Sequence, residues 1–164
     1  LEVPVGEIGE LPRRGGALIR GMYKGGREEL FTPDGFYPTG DLCRIDAADY
    51  LYFIARRNDM IKTRAANVSR LEVEAALNAL PEVATSVVTG LADEEFGQIV
   101  AAAVLPAPGT SPSEEGLRKA LREELSSYKV PRRIVFLASE DEIPRTATGK
   151  IKLHELGELI ESRG

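Results

Sequence analysis

The sequence predicts an α+β protein, a small domain of two or three strands backed by helices that follows a run of short β segments. Three observations predict it. Two stretches carry helix-start chemistry, Ser69 with Glu72 and Ser111-Pro112 with Glu114, in which a hydroxyl and a carboxylate can each satisfy an orphan backbone N–H. Two apolar runs, Val83–Thr89 and Gln98–Leu105, read as strands. Residues 1–40 are cut by Gly15-Gly16, Gly25-Gly26 and Pro33-Asp34-Gly35, turn signals that leave short extended pieces and no helix of normal length.

Taken in order, Leu42, Ile45 and Tyr50-Leu51-Tyr52-Phe53-Ile54 flank Asp46-Ala47-Ala48-Asp49, two strands around a turn. A charged, flexible stretch is expected from Arg56 to Arg64, with the natural boundary near Arg56–Asp59. The helix that starts at Ser69 has Leu71, Ala75, Ala79 and Leu80 as its apolar side, and Pro81 ends it. The two strands that follow are joined by an acidic loop containing Gly90 and Gly97, in which Asp93-Glu94-Glu95 reads as solvated. The second helix buries Leu117, Leu121 and Leu125, Arg133–Leu137 is a short strand, and Ile151 to Ile160 form a last helix after a turn at Pro144–Gly149.

Composition narrows the function classes. At 164 residues the chain can build a proper core. Net charge is -5, with both signs spread along the chain, which argues against the basic patch of a nucleic-acid binder. No apolar run approaches the ~20 residues of a membrane span, and no signal peptide opens the chain. Cys43 is alone, so no internal disulfide can form, and a reducing cytoplasm is the expected location. One Cys and one His do not suffice for a zinc site, and no metal ligands are expected. Cys43 reads as a small buried residue and His154 as a surface one. The chain opens at Leu1 without Met and reads as a segment of something longer.

Three polar stretches can carry chemistry. In Gly35-Phe36-Tyr37-Pro38-Thr39-Gly40-Asp41, the Asp41 carboxylate can accept two hydrogen bonds from a vicinal diol such as a ribose, or it can cap its own turn. In Arg56-Arg57-Asn58-Asp59-Met60-Ile61-Lys62, basic and amide side chains beside a boundary can bind phosphate or ribose, act as a hinge, or form a solvated linker. Pro144-Arg145-Thr146-Ala147-Thr148-Gly149-Lys150-Ile151 is not a Walker A loop, because the position that needs Gly is Pro144. It reads as an exposed turn that presents one lysine, which either bridges a carboxylate and a phosphate or is a plain surface residue.

Together and in order, these stretches resemble the adenylate-forming superfamily of acyl-CoA synthetases, luciferases and peptide-synthetase adenylation domains. Gly9-Glu10-Leu11 and Arg20-Gly21-Met22-Tyr23 are similar to its GEL and RGYY elements, and Thr39-Gly40-Asp41 to its TGD motif. Arg56 to Glu74 is similar to its hinge motif, Tyr128-Lys129-Val130-Pro131 to its YKVP element, and Pro144 to Lys150 to PRTxTGK. The resemblance implies that residues 1–57 are the C-terminal end of a large adenylate-forming domain and that residues 58–164 are its small, mobile C-terminal lid domain.

It also implies a reaction in two halves. A carboxylic acid and ATP give acyl-AMP and pyrophosphate, and the thiol of CoA or of a carrier protein then takes the acyl group. Asp41 is implied to bind the ribose hydroxyls and Arg56 to contact the nucleotide. Asn58 stands at the hinge position, and Lys150 is implied to be the adenylation lysine. Lys62, Arg64 and Ala65 belong to the loop that faces the active site during thioester formation. Mg²⁺ is expected to be held by the missing domain, which is the chain's first partner.

The chain departs from the family pattern at Ala55, where Gly is favoured, at Arg64-Ala65, where a Gly pair is favoured, and at Arg70, where Pro is favoured. A Cβ at Ala65 is expected either to narrow the pantetheine path or, at a positive φ, to strain the turn, with Arg64 reaching a CoA phosphate as the alternative. The leading expectation is part of a carboxylate–CoA ligase acting on a fatty or other apolar acid, inactive without its upstream domain. Its rivals are an acyl-AMP ligase that loads a carrier protein and a stand-alone binding module that kept the fold. Exposed strands of the first segment are expected to allow a homo-oligomer.

Overall fold

A computed structural model describes residues 3–18, 26–64 and 66–163 of the chain. The Arg20–Tyr23 element and Ala65 lie outside the described residues, as does the side chain of Asn58. The chain divides into two compact units, Leu1–Asp59 and Met60–Gly164.

The first unit is an antiparallel sheet of β1 (Ile8–Arg13), β2 (Tyr37–Ile45) and β3 (Leu51–Arg56), in that spatial order, with a single helical turn α1 (Arg27–Leu30) between β1 and β2. Asp46 builds the β2–β3 turn. Its carboxylate accepts the N–H groups of Ala48 and Tyr50 at 2.9 and 3.0 Å and the Tyr52 hydroxyl at 2.9 Å. Those bonds, the Tyr50 amide first, hold the Asp46 carboxyl below the usual carboxylate range. Cys43 and Ala55 are buried, whereas Leu51, Tyr52 and Phe53 are exposed. Burial, with the Asp41 charge nearby, pushes the Cys43 thiol up, away from the reactive thiolate. Ala55 accommodates its methyl inside the unit at 0% exposure.

The second unit begins with a small hairpin, β4 (Met60–Lys62) paired with β5 (Asn67–Ser69). Then come α2 (Arg70–Asn78), β6 (Val83–Asp93), β7 (Gly97–Pro106), α3 (Glu114–Glu124), β8 (Arg133–Phe136) and α4 (Leu153–Ser162). The main sheet has the order β6-β7-β8, antiparallel between the first two and parallel between β7 and β8. A parallel pair needs a crossover, and α3 supplies it.

Strand periodicity sorts β7 between two cores. Val100, Ala102 and Val104 join Val73, Leu77, Leu117, Leu121 and Ile134 on one face. Ala101 and Ala103 join Val87, Leu91, Val135, Leu156 and Ile160 on the other. The central strand is covered on both faces, which is why its sequence reads as an unbroken apolar run.

Several expectations need correction. The stretch from Arg56 to Arg64 is ordered: a turn of 3-10 helix, Arg57–Asp59, leads into β4, whose Ile61 is 3% exposed. The buried stripe of α2 is Val73, Ala76 and Leu77, with Leu80 packed against them, while Leu71, Ala75 and Ala79 face outward. Both stripes fit the helical period, and the one with the bulkier set of side chains is buried. At Ser69 the hydroxyl accepts the Glu72 N–H at 3.4 Å, but the reciprocal half of the capping box is missing. Glu72 is drawn instead to the Lys129 ammonium at 2.6 Å. The cap of α3 is Ser113, which accepts the Gly116 N–H at 3.1 Å, and not Ser111.

Strand β6 runs through Gly90 rather than stopping before it. A Cβ there would come within 2.9 Å of Ile61 Cγ2, so the glycine lets β4 lie against the sheet. Asp93 is not merely solvated: its carboxylate accepts the N–H groups of Glu95 and Phe96 and so forms the β6–β7 turn.

Candidate functional site

In the first unit, Asp41 and Arg56 sit opposite each other across β2 and β3. Arg56 Nε lies 3.1 Å from Asp41 Oδ1, within ion-pair range but out of line for a hydrogen bond. That oxygen is buried, while the Arg56 side chain is 67% exposed. The turn that sets Asp41 is tied down from β1. The Thr39 hydroxyl donates to the Leu11 carbonyl at 2.6 Å, and Gly40 N–H donates to Glu10 Oε1 at 2.9 Å. Gly40 has φ +74°, a conformation that favours glycine, opposite a register shift between Glu10 and Pro12. The other oxygen of Glu10 pairs with the Arg57 guanidinium.

In the second unit the loop between β4 and β5 carries Lys62 and Arg64, both exposed. The Thr63 hydroxyl closes it, donating to the Ala66 carbonyl at 2.7 Å and accepting the Ala66 N–H at 3.2 Å. The β6–β7 hairpin supports it from beside: Lys62 N–H donates to Gln98 Oε1 at 2.7 Å, and Arg64 N–H to the Phe96 carbonyl at 2.8 Å. Next to this loop, Thr63, Phe96, Gln98, Tyr128 and Arg132 line a cleft of about 320 Å³. The Arg132 guanidinium stacks on the Phe96 ring, 3.6 Å from its centroid.

Lys150 stands on a second preformed loop. Arg145 and Ile151 pair in a bridge, Thr146 N–H donates to the Lys150 carbonyl at 2.7 Å, and Gly149 N–H to the Thr146 carbonyl at 2.9 Å. The Thr146 hydroxyl accepts the Lys150 N–H at 3.1 Å. Arg145 staples the loop, donating to the Gly149 carbonyl at 3.2 Å while pairing with Glu140 at 3.0 Å. Lys150 is exposed, and among the described residues its ammonium has no ionic partner.

The two loops of the second unit are rooted on opposite faces of the main sheet. Ile61 and Val68 of the β4–β5 hairpin pack into the core shared with α2 and α3. Ile143 and Ile151, which bracket the Lys150 loop, pack into the core shared with α4.

Of the residues singled out in the sequence, the structure thus joins Asp41 to Arg56, groups Lys62 with Arg64, and sets Lys150 apart from that pair. Asn58 lies in the turn just before β4. Sequence reasoning did not single out Glu10 and Thr63 as site residues, whereas Arg57 stands in the basic stretch that it did. Glu10 and Arg57 are 47 positions apart, and no local pattern announces their pairing. His154 is a surface residue 3.5 Å from Glu158. Among the described residues no group of three or more His, Cys, Asp or Glu could hold a metal, and no helix is long and apolar enough to cross a membrane.

Residues 72–150 match the family model of the AMP-binding enzyme C-terminal domain. The 2-succinylbenzoate–CoA ligase of Geobacillus kaustophilus is 39% identical over 94% of this chain and 31% of its own length. The 4-coumarate–CoA ligase-like protein 4 of Oryza sativa is 34% identical over 98% of this chain and 29% of its own. The o-succinylbenzoate CoA synthetase of Bacillus subtilis, solved in complex with its acyl-adenylate intermediate, is 28% identical over 94% of this chain and 31% of its own, with a TM-score of 0.82. The chain therefore spans about a third of the length of these relatives.

Proposed function

The chain belongs to the adenylate-forming enzymes as a carrier of their AMP-binding C-terminal domain, and from that premise we propose that it is the C-terminal part of a carboxylate–CoA ligase. The observation that carries the proposal is the pair of preformed polar loops rooted on opposite faces of one sheet. Two half-reactions make opposite demands on one site. In the first, a carboxylate oxygen attacks the α-phosphorus of ATP and pyrophosphate leaves, so a cation is needed where negative charge gathers. In the second, the CoA sulfur attacks the acyl carbon and AMP leaves, so the thiol needs an open path.

The Lys150 loop suits the first demand. Its backbone is pinned and its ammonium is unpaired among the described residues. The loop of Lys62, Arg64 and Ala65 serves the second, with Arg64 directed at a CoA phosphate. A rotation about Asn58, between a unit that ends a large domain and a unit that forms its lid, would exchange them. Asp41 holds the ribose hydroxyls through its carboxylate, and Arg56 contacts the nucleotide. The upstream domain supplies the acid pocket and holds the Mg²⁺ that accompanies ATP, so this chain by itself is inactive. Our reading extends to a cytoplasmic enzyme acting on a fatty or other apolar acid. The relatives' names, 2-succinylbenzoate and 4-coumarate, make aromatic acids an equal part of the panel to be tried.

The test uses the full-length protein with ATP, Mg²⁺ and a panel of fatty, aromatic and dicarboxylic acids, following pyrophosphate and acyl-CoA separately. Both products from one acid is the expected result. Pyrophosphate without acyl-CoA, together with loading of a carrier protein, moves the acceptor from CoA to that protein. Neither product from any acid overturns the proposal in favour of a binding module.

A further inference from the structure

The reaction reading makes no use of Glu10, yet its carboxylate joins two segments that the reading does use. Oxygen Oε1 accepts the Gly40 N–H at 2.9 Å, and Oε2 pairs with the Arg57 guanidinium. The Glu10 side chain is 21% exposed. Gly40 immediately precedes Asp41, and Arg57 lies between Arg56 and Asn58. Two ion pairs run side by side, Asp41 with Arg56 and Glu10 with Arg57, tying consecutive residues at the end of β3 to β2 and to β1.

We infer that Glu10 is a positioning residue that fixes the ribose-binding Asp41 through the Gly40 amide. The inference rests on the adenylation reading of Asp41. Three features make the carboxylate the natural fulcrum. At φ +74° Gly40 leaves the regular ladder, so its N–H needs an acceptor from outside the strand. The neighbouring carbonyl, Leu11, is already taken by the Thr39 hydroxyl at 2.6 Å. An ionised carboxylate is the one side chain that can accept from a backbone amide and pair with a guanidinium at once.

The experiment compares Glu10→Ala and Glu10→Gln with wild type in the full-length protein. Glutamine keeps one acceptor oxygen for Gly40 and removes the charge that holds Arg57. Glu10→Ala should raise the KM for ATP about 10-fold, with kcat at saturating ATP within about 2-fold, and should speed hydrogen exchange at the Gly40 amide. Glu10→Gln should restore the KM for ATP and the Gly40 protection. Equal losses of kcat and thermal midpoint in both variants, without a selective rise in KM for ATP, overturn the inference, as does unchanged Gly40 exchange in Glu10→Ala. If the wild type itself forms no adenylate, the functional reading falls, and the Gly40 exchange alone decides whether Glu10 holds the turn.

Discussion

Lys150 illustrates how a fold can present a charge without spending it. Its backbone N–H and carbonyl are both bonded to Thr146, which fixes the Cα–Cβ direction, while its ammonium is left to solvent. An ion pair on the same loop would offset the charge that the proposed adenylation step needs. Arg145 and Lys152, the neighbouring cations, are each paired with a glutamate. Lys150→Ala in the full-length protein should lower the rate of acyl-adenylate formation by about 10²- to 10³-fold. It should leave thioester formation from preformed acyl-AMP near wild type. The check is to time each half-reaction separately, and an equal fall in both removes the role assigned to Lys150. The motif spelled out this lysine in the sequence. Its staple, Arg145 to the Gly149 carbonyl and Glu140, was not legible, because it depends on a turn whose geometry no single residue states.

At the scale of elements, the last helix and the turn that precedes the Lys150 loop are joined through Glu142. Its carboxylate accepts the N–H groups of Ala138 at 2.5 Å and Ser139 at 3.1 Å and pairs with Arg163 at the end of α4. These partners, Arg163 first, hold the carboxyl below the ordinary glutamate range. A carboxyl depressed in the folded state stabilises fully above its unfolded value, near 4.3 for glutamate, and loses that contribution as pH falls through the folded value. Wild type should therefore melt above Glu142→Gln at pH 7, and the two melting temperatures should converge as pH drops below about 4. A constant gap down to pH 3 would mean that the charge is not what holds the turn. The same scale separates what the sequence disclosed from what it concealed. Strands β6 to β8 and helices α2 to α4 follow from apolar runs, caps and prolines, which are local. The β4–β5 hairpin was hidden in a charged stretch, because one buried side chain at Ile61 and one at Val68 make too short a pattern to register.

At the scale of the whole molecule, the two units differ in self-sufficiency. Both cores of the main sheet are built wholly from residues after Met60. The first unit instead leaves Tyr50, Leu51, Tyr52 and Phe53 exposed, and among the described residues β1 and β3 each keep an unpaired edge within it. Residues 60–164 produced alone should unfold in one cooperative transition, read by calorimetry or by near-ultraviolet circular dichroism of their tyrosine and phenylalanines. Absence of a transition would show that the first unit is needed for the fold of the second. The family resemblance supplied the division of labour as an expectation, from motifs in order. That the two loops of the second unit hang from opposite sheet faces was not readable, because it is set by which residues of β6, β7 and β8 look which way.

That alternation has a consequence for the genetics of the protein. Along Val100 to Val104, parity alone assigns each side chain to a core, so adjacent codons address different cores. Drift at even positions is felt beneath the β4–β5 loop, and drift at odd positions beneath the Lys150 loop. One five-residue thread thereby lets selection repack the footings of two loops separately.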